Sequence, residues 1–339
     1  MMSHGGTNVL ELQALGLTEA DILDLSVNVV PFEIPEAIRK VMQSWDPRAY
    51  PDPACVAART ALADRFEIPV QRVIVGNGAT ELIWTLFDAI QPRSVLVLAP
   101  TFSEFHAAAN TKQVPIRSIH DPAGIWPTFD EEIHNADLVY FTHPNNPTGR
   151  PGPLDRAEAW ALRHPDTLFM ADESFLSLSA AYADIERPLP DNIIRLRSLT
   201  KDFGLAGLRI GYAIAPQNVA QALEAVRPPW TVNGLAQAVV PAALSVEDSI
   251  ADIRARLFTA RNHLDQALCN IGLQTIPSST IYVMVRVGDA GATKTRLLSK
   301  HAIRVRDCSN FGMPAWIRVA AREGSATDRL VAALAEAHP

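Results

Sequence analysis

The chain of 339 residues carries 30 Lys and Arg against 37 Asp and Glu, a formal net charge of −7, and 48% of its residues are hydrophobic. This length and composition predict about two folded domains and exclude a disordered, collagen-like or disulfide-scaffold chain. The acidic balance argues against a nucleic-acid partner, because contacts to a phosphate backbone need a basic surface.

Three further features predict a reduced, cytoplasmic protein that does not cross a membrane. The cysteines, Cys55, Cys269 and Cys308, are odd in number and far apart. The longest apolar runs, such as Val95–Ala99, are much shorter than the ~20 residues that span a bilayer. The segment Met1–Ala20 lacks the basic start and apolar run of a secretory signal.

The first two thirds of the chain alternate short apolar runs with amphipathic segments. A helix is predicted near Pro35–Gln43, and further helices at Thr80–Ile90 and Leu154–Arg163. Strands are predicted at Arg72–Val75, Ser94–Ala99, Leu138–Thr142, Thr167–Ala171, Ile193–Arg197 and Arg209–Ala215. Most of these strands are apolar throughout, which is typical of a mostly parallel sheet covered by helices on both faces.

The pattern changes after about Trp230. A long helix at Ser249–Ile271 precedes an alternating run at Ile281–Val287, and the last predicted elements are β-like pieces near Ile303–Arg306 and Trp316–Ala320 and a closing helix near Thr327–Ala337. We therefore predict a large domain at 41–235, a small α+β domain at 236–339, and an N-terminal arm at 1–40 that belongs to the small domain.

The segment from Ser198 to Tyr212 carries the strongest chemical signal. Lys201 follows a buried strand in a glycine-containing loop, and Arg209 opens the next apolar strand. Because that strand should bury the loop, a solvated surface lysine is the weaker interpretation. A hydroxyl and a guanidinium beside a lysine suit a phosphorylated aldehyde, pyridoxal 5′-phosphate, bound through the Lys201 amine with Ser198 and Arg209 on its phosphate.

This segment resembles the cofactor-lysine signature of the class I/II aminotransferase family, the fold type I pyridoxal-phosphate enzymes. The resemblance extends over most of the chain, because three further segments match in the same order. It implies an α/β fold whose large domain has a mostly parallel seven-stranded sheet flanked by helices, a smaller α+β domain, and pyridoxal 5′-phosphate as the cofactor.

An acidic residue stands at the end of the predicted strand Thr167–Ala171. The resemblance gives Asp172 the role of pairing with the pyridine nitrogen of the cofactor, where a buried carboxylate keeps that nitrogen protonated. Taken alone, an aspartate at a strand end is equally often a helix N-cap. Its place before Lys201 favours the role at the cofactor.

Other positions of the chain correspond to cofactor-binding residues of the family. In the turn His143–Gly149, Asn146 corresponds to the donor to the cofactor's 3′-oxygen, although an ordinary loop is the alternative. The start of the predicted helix after Gly76 is suited to binding phosphate. The resemblance places Gly78, Ala79 and Thr80 around the cofactor phosphate. Phe102 stands where an aromatic ring stacks on the pyridine, and a core phenylalanine is the equal alternative without that context.

Tyr50 resembles the tyrosine that reaches the cofactor phosphate of a neighbouring subunit. The resemblance therefore implies a homodimer with shared active sites, although Tyr50 is also compatible with a simple turn. No histidine spacing indicates a metal site. A nicotinamide-binding fingerprint is also disfavoured, because Glu81 replaces the third glycine of the motif.

The family contains two branches that fit the remaining residues, the threonine-phosphate decarboxylases of cobalamin biosynthesis and the histidinol-phosphate aminotransferases. The start of the chain at His4, Phe175 in place of a tyrosine, and the C-terminal arginines favour the decarboxylases. A small phosphorylated amino acid is the expected substrate, and threonine phosphate the first choice. Phosphoserine or a phosphonate amino acid would satisfy the same groups. The residues expected to bind the substrate are His4, Asn28, Arg306, Arg318 and Arg322.

Two interpretations from other classes remain beside an enzyme of this family. One is a non-catalytic relative that keeps the fold as a binding module, and the other is a nicotinamide-dependent dehydrogenase. The presence of Lys201, Asp172, Asn146 and Arg209 together disfavours the binding module. The dehydrogenase is disfavoured because the third glycine of its motif is missing.

Overall fold

The computed structural model describes residues 5–6, 8–126 and 130–336. Its strands, in chain order, are β1 (Leu23–Asp24), β2 (Val73–Asn77), β3 (Val95–Ala99), β4 (Ile116–His120), β5 (Leu138–Thr142), β6 (Leu168–Asp172), β7 (Ile193–Ser198), β8 (Ile210–Ile214), β9 (Thr275–Ile276), β10 (Tyr282–Arg286), β11 (Ile303–Arg304), β12 (Arg306–Asp307) and β13 (Trp316–Ala320).

The α-helices alternate with these strands through most of the chain. They are α1 (Val9–Ala14), α2 (Glu36–Ser44), α3 (Val56–Arg65), α4 (Gly78–Ile90), α5 (Ser103–Thr111), α6 (Asp130–His134), α7 (Leu154–Arg163), α8 (Gln217–Val226), α9 (Gly234–Leu244), α10 (Ser249–Asn270), α11 (Ala290–His301) and α12 (Ala326–Ala335).

The larger of two compact units contains Val29–Asn146 and Pro151–Ala251. Its seven-stranded sheet has the order β2-β8-β7-β6-β5-β3-β4. Strand β8 runs antiparallel to β2 and β7, and every other pair is parallel. The α/β fold with a mostly parallel seven-stranded sheet is therefore confirmed.

Both faces of this sheet are covered, which explains why its strands are apolar throughout. Along β5, Tyr140 packs into a cluster with residues of α4 and α5, whereas Val139 and Phe141 pack on the other face with residues of α7. Burying one such side chain contributes roughly 1.5–3 kcal/mol. The two clusters hold the strand ends that carry the candidate site.

The sequence analysis missed the edge strand β4. Its two isoleucines, Ile116 and Ile119, are half-buried, its other three residues are exposed, and in the described part of the chain only β3 pairs with it. A short edge strand with polar residues lacks the continuous apolar run by which the other strands of this sheet were predicted.

The smaller unit contains Met1–Asn28, Pro147–Arg150 and Asp252–Pro339. A four-stranded antiparallel sheet has the order β12-β13-β10-β9, and β1 pairs with β11 in a parallel two-stranded sheet. Apolar residues of α10, α11 and α12, among them Leu264, Leu297 and Leu330, pack against the strands.

The boundaries of the compact units differ from the predicted domain limits at residues 40 and 235. Residues 29–40 and 236–251 lie in the larger unit, because α9 packs against α2 and α3 of that unit. No change of composition marks the observed boundaries, which follow Asn28 and Ala251. Within the described residues, no helix combines the length and apolarity needed to cross a membrane.

Candidate active site

Four chain segments that carry candidate residues leave the same edge of the seven-stranded sheet. Thr142 pairs with Asp172 at the ends of β5 and β6, and β7 runs parallel to β6. Because β2 and β7 are both antiparallel to β8, the start of α4 after Asn77 lies at the same edge as Ser198. Polar groups at the carboxyl ends of such strands form the ligand sites of open α/β sheets.

Asp172 is buried at the end of β6, with 5% of its surface exposed. Its Oδ1 accepts a hydrogen bond of 3.0 Å from the Ser174 backbone N–H, and its Oδ2 accepts one of 2.9 Å from the Tyr140 hydroxyl. Burial raises the pKa of Asp172, while these two donors and the charge of Lys201 oppose that rise. This environment favours a cationic partner for the carboxylate.

Lys201 lies in the loop between β7 and β8, as the sequence predicts. Its Nζ is 5.7 Å from the centre of the Phe175 ring, and its carbonyl accepts a 3.2 Å hydrogen bond from the Val30 N–H. The Lys201 charge also acts on Asp172. The structure therefore brings the predicted lysine and aspartate into electrostatic contact.

The start of α4 and the strand β8 approach each other closely around Arg209. A Cβ atom on Gly78 would lie 2.6 Å from Nη2 of Arg209, and one on Gly211 would lie 2.5 Å from the Ala79 nitrogen. Ser198 Oγ is 2.6 Å from Thr200 Oγ1 near the end of β7. A guanidinium at the first turn of a helix of 13 residues, with hydroxyls at the neighbouring strand end, is suited to a phosphate group.

The turn after β5 is held by a buried threonine. Thr142 Oγ1 accepts hydrogen bonds from the Asn146 N–H at 3.1 Å and from the Asn145 amide at 3.0 Å. Asn145 also donates to the Pro100 carbonyl at 2.7 Å. These bonds fix Asn146 directly after the sheet edge that carries Asp172.

The remaining cofactor candidates lie in the larger unit in less diagnostic positions. Phe102 precedes α5 and packs against the apolar cluster beside β5. Thr80 is half-buried in the first turn of α4. Tyr50 is 83% exposed, with its ring 5.4 Å from that of Trp230. The roles of these three residues stay predictions.

In the smaller unit, Arg306 and Arg318 occupy directly opposite positions of the antiparallel strands β12 and β13. Both side chains are buried. Arg318 Nη2 donates to the Ser26 carbonyl at 3.3 Å, and Arg306 Nη2 donates to Asn310 Oδ1 at 3.0 Å. Burial, and after it the charge of Arg318, lowers the pKa of Arg306 to about 10.

Two further substrate candidates lie beside this pair in the same unit. Asn28 is buried, and neither atom of its side-chain amide has a hydrogen-bond partner among the described residues. Arg322 donates to the carbonyls of Ala321 and Val27, each at 2.9 Å. Its guanidinium therefore holds the segment before Asn28. The remaining candidate, His4, lies outside the described residues.

Sequence reasoning missed several residues of the larger unit. Tyr140 and Thr142 stand inside an apolar strand, where nothing distinguishes them from core residues before the sheet places Asp172 beside them. Asp202 was also missed, although an acid directly after the cofactor lysine is a signal that the sequence shows. In the described part of the chain, no cluster of His, Cys, Asp and Glu is suited to a metal ion.

A sequence profile named "Aminotransferase class I and II" matches residues 20–335. The chain belongs to the aminotransferase class I and II family. Within this family it is 32% identical to histidinol-phosphate aminotransferase 2 of Ralstonia nicotianae, over 90% of this chain and 85% of that protein. It is 30% identical to the threonine-phosphate decarboxylase of Salmonella typhimurium, over 98% of this chain and 95% of that protein.

The fold agrees with solved structures of the family. The crystal structure of histidinol-phosphate aminotransferase from Sinorhizobium meliloti in complex with pyridoxal-5′-phosphate aligns with a TM-score of 0.82 and 24% identity, over 98% of this chain and 94% of that one. The predicted family and its cofactor, pyridoxal 5′-phosphate, are confirmed.

The larger unit fits this cofactor. The buried Asp172 carboxylate is suited to a protonated ring nitrogen, and the close approach of Gly78 and Arg209 is suited to a phosphate. Both groups lie at the same sheet edge as the loop of Lys201, the residue whose amine can form a covalent bond to an aldehyde. We found no residue in this set whose charge or burial conflicts with the cofactor.

Proposed function

We propose that the protein is a pyridoxal-phosphate-dependent decarboxylase of a small phosphorylated amino acid. The substrate proposed first is L-threonine O-3-phosphate, and its product is aminopropanol phosphate, an intermediate of cobalamin biosynthesis. The observation that carries the proposal is the pairing of Arg306 with Arg318 across β12 and β13.

Like charges in directly opposite strand positions destabilise a sheet, and the charge of Arg318 lowers the pKa of Arg306. An anion bound to both guanidinium groups would offset this repulsion. A phosphomonoester carries up to two negative charges and three acceptor oxygens, and it can accept hydrogen bonds from both guanidinium groups. The side-chain amide of Asn28, which has no hydrogen-bond partner among the described residues, adds donors and an acceptor in the same unit. We therefore assign the substrate phosphate to Arg306, Arg318 and Asn28.

Holding the substrate by its phosphate determines which bond at the α-carbon breaks. When bound, pyridoxal phosphate accepts electrons from the α-carbon bond that stands perpendicular to its ring. If the arginines bind the phosphate, they leave the carboxylate free to take that direction. Loss of carbon dioxide would then be the favoured reaction at Cα, with a proton taking the place of the carboxyl group.

The larger unit supplies the groups that complete this reaction. Asp172 holds a proton on the ring nitrogen through its buried carboxylate, and Lys201 Nζ delivers a proton to Cα. The same amine is suited to moving a Cα proton in a transamination, so these two residues do not distinguish the reactions. Phe175 beside Lys201 supplies no hydroxyl, in contrast to the tyrosine of many aminotransferases.

The alternative is an aminotransferase of the histidinol-phosphate type, which uses glutamate and 2-oxoglutarate. Relatives with that name reach 32% identity, against 30% for the decarboxylase of Salmonella typhimurium. The arginine pair would bind the phosphate of histidinol phosphate equally well. Coverage does not separate the two functions, because the decarboxylase of Salmonella typhimurium and the aminotransferase structure of Sinorhizobium meliloti each match 98% of this chain.

Two assays on the purified holoenzyme decide between these functions. The first measures carbon dioxide released from O-phospho-L-threonine, and the second measures glutamate formed from histidinol phosphate and 2-oxoglutarate. Carbon dioxide without glutamate supports the decarboxylase. Glutamate alone refutes it. Inactivity in both assays rules out threonine phosphate and histidinol phosphate as substrates, and phosphoserine and phosphonate amino acids are then assayed in the same way.

A further inference from the structure

A buried carboxyl group directly follows Lys201 and has no part in the proposed reaction. Asp202 is 5% exposed, and its Oδ1 accepts a hydrogen bond from the Ser177 hydroxyl. Ser177 lies in the segment that leaves β6 after Asp172. This side-chain hydrogen bond therefore joins the two segments that carry the predicted cofactor residues.

The same two segments also meet on the side of the lysine. Phe175, two residues before Ser177, lies 5.7 Å from Nζ of Lys201. Around Asp202, Thr200 and Phe203 are each 2% exposed, so the loop has little freedom to move independently. The hydrogen bond from Ser177 to Asp202 adds a polar contact between the two segments.

Charged groups of several elements face Asp202. It lines a cavity with Glu173, Arg197, Tyr212 and Glu247. The pKa of Asp202 is raised to about 7, chiefly by burial and to a smaller extent by the charge of Glu247. The hydrogen bond from Ser177 opposes this rise. The charges of Lys201 and Arg197 also lower this pKa.

Two of these neighbours are already compensated. Glu173 is paired with the guanidinium groups of Arg195 and Arg197, and Glu247 is paired with Arg65. Asp202, in contrast, accepts its hydrogen bond from a hydroxyl, that of Ser177.

We propose that Asp202 is a positioning residue that, through the Ser177 hydroxyl, fixes the Lys201 amine against the segment following Asp172. The inference rests on the proposal that Lys201 holds the cofactor. A negative charge on Asp202 stabilises a positive charge on the Lys201 nitrogen, and Ser177 stabilises the negative charge. Loss of either partner should lower the pH at which the lysine nitrogen gives up its proton.

The test is a pH titration of the absorbance of the bound cofactor in the holoenzyme. The variants are Asp202→Ala, Ser177→Ala, their double mutant and the conservative Ser177→Thr. Asp248→Asn serves as a control for an exposed acid of the same unit. We expect each alanine variant to lower the midpoint by about 0.5 pH unit, because a nearby opposite charge is lost or neutralised. The double mutant should equal the larger single effect, since the two residues act as one unit.

The expected midpoints of Ser177→Thr and Asp248→Asn are those of the wild type. Unchanged midpoints in the alanine variants, or shifts that add in the double mutant, overturn the inference. A thermal melt of each cofactor-free variant adds a readout that needs no activity and identifies a merely destabilised chain. Lys201→Ala tests the attachment of the cofactor separately. If this variant keeps the absorbance band of the bound cofactor, the attachment to Lys201 is wrong. If the band is lost, but the titration midpoints of the Asp202→Ala and Ser177→Ala variants do not move, only the role of Asp202 is wrong.

Discussion

The hydroxyl of Tyr140 donates a 2.9 Å hydrogen bond to Oδ2 of Asp172 inside the sheet. Tyr140 is fully buried, and its ring stacks on Phe105 at a centroid distance of 4.2 Å. Burial, together with the charge of Asp172, raises the pKa of Tyr140, so the phenol remains a donor. A residue of the apolar core thereby orients the carboxylate assigned to the ring nitrogen.

Tyr140→Phe should lower kcat about 10-fold to 100-fold with little change in KM, because a hydrogen bond to a charged group contributes ~1.5–3 kcal/mol. Loss of the donor raises the pKa of Asp172 further. The acid limb of the pH profile of kcat should therefore move to higher pH. Steady-state kinetics across pH measure both effects, with Tyr182→Phe at the surface as the control. An unchanged acid limb would show that Tyr140 serves packing alone.

Asp172→Asn should retain the fold but lose about 10²-fold or more in kcat, since an amide cannot hold a proton on the ring nitrogen by its charge. The asparagine keeps the shape of the side chain. Its uncharged amide oxygen can still accept the hydrogen bond from the Ser174 N–H. Cofactor content, measured by absorbance, and turnover of the same preparation separate binding from chemistry. Full activity in this variant contradicts the role of Asp172.

Much of the larger unit was predictable because buried parallel strands are apolar throughout and the motifs follow them at the strand ends. The positions of Lys201, Asp172 and Arg209 at strand ends were predicted in this way, and their roles at the cofactor stay predictions. Tyr140 and Thr142 were not predicted, because their partners come from neighbouring strands that only the folded sheet brings together. Arg322 was expected at the substrate; in the structure it donates to the carbonyls of Ala321 and Val27, and its role at the substrate stays a prediction.

In the cofactor-loaded protein, whose cofactor phosphate occupies the site at Arg209, inorganic phosphate should raise the melting temperature of the wild type, because it relieves the repulsion between Arg306 and Arg318 in the folded state. In Arg306→Gln this increase should disappear, and the KM for a phosphorylated substrate should rise about 10-fold or more. Differential scanning fluorimetry with and without phosphate measures the first effect. Arg329→Gln, at an exposed arginine of the same unit, is the matched control. An equal phosphate effect in Arg306→Gln would place the anion elsewhere.

The buried Asp202 predicts a pH dependence of stability. Folding raises its pKa from 3.8 to about 7, so the folded chain binds this proton more tightly than the unfolded chain. The resulting stabilisation is complete below about pH 4 and is lost as the pH rises through 7. The melting temperature of Asp202→Asn relative to wild type should therefore increase by a few degrees between pH 5 and pH 8. A difference that does not vary with pH contradicts this assignment.

The exposed rings of Tyr50 and Trp230 predict a contact surface for a second copy of the chain. Sedimentation velocity should give a homodimer for the wild type. Tyr50→Phe should keep the dimer but lose cofactor faster on dialysis, because the hydroxyl assigned to the neighbouring phosphate is absent. A wild type that stays monomeric at micromolar concentration rules out the shared site.

The central claim is that the cofactor is attached to Lys201, one of five lysines in the chain. Borohydride reduction of the purified holoenzyme fixes the cofactor to its lysine, and mass spectrometry of the digested protein identifies the modified peptide. We expect the added mass of the reduced cofactor on Lys201 alone. Modification of Lys40, Lys112, Lys294 or Lys300 in its place, or of no lysine in a protein that was incubated with pyridoxal phosphate, would contradict it.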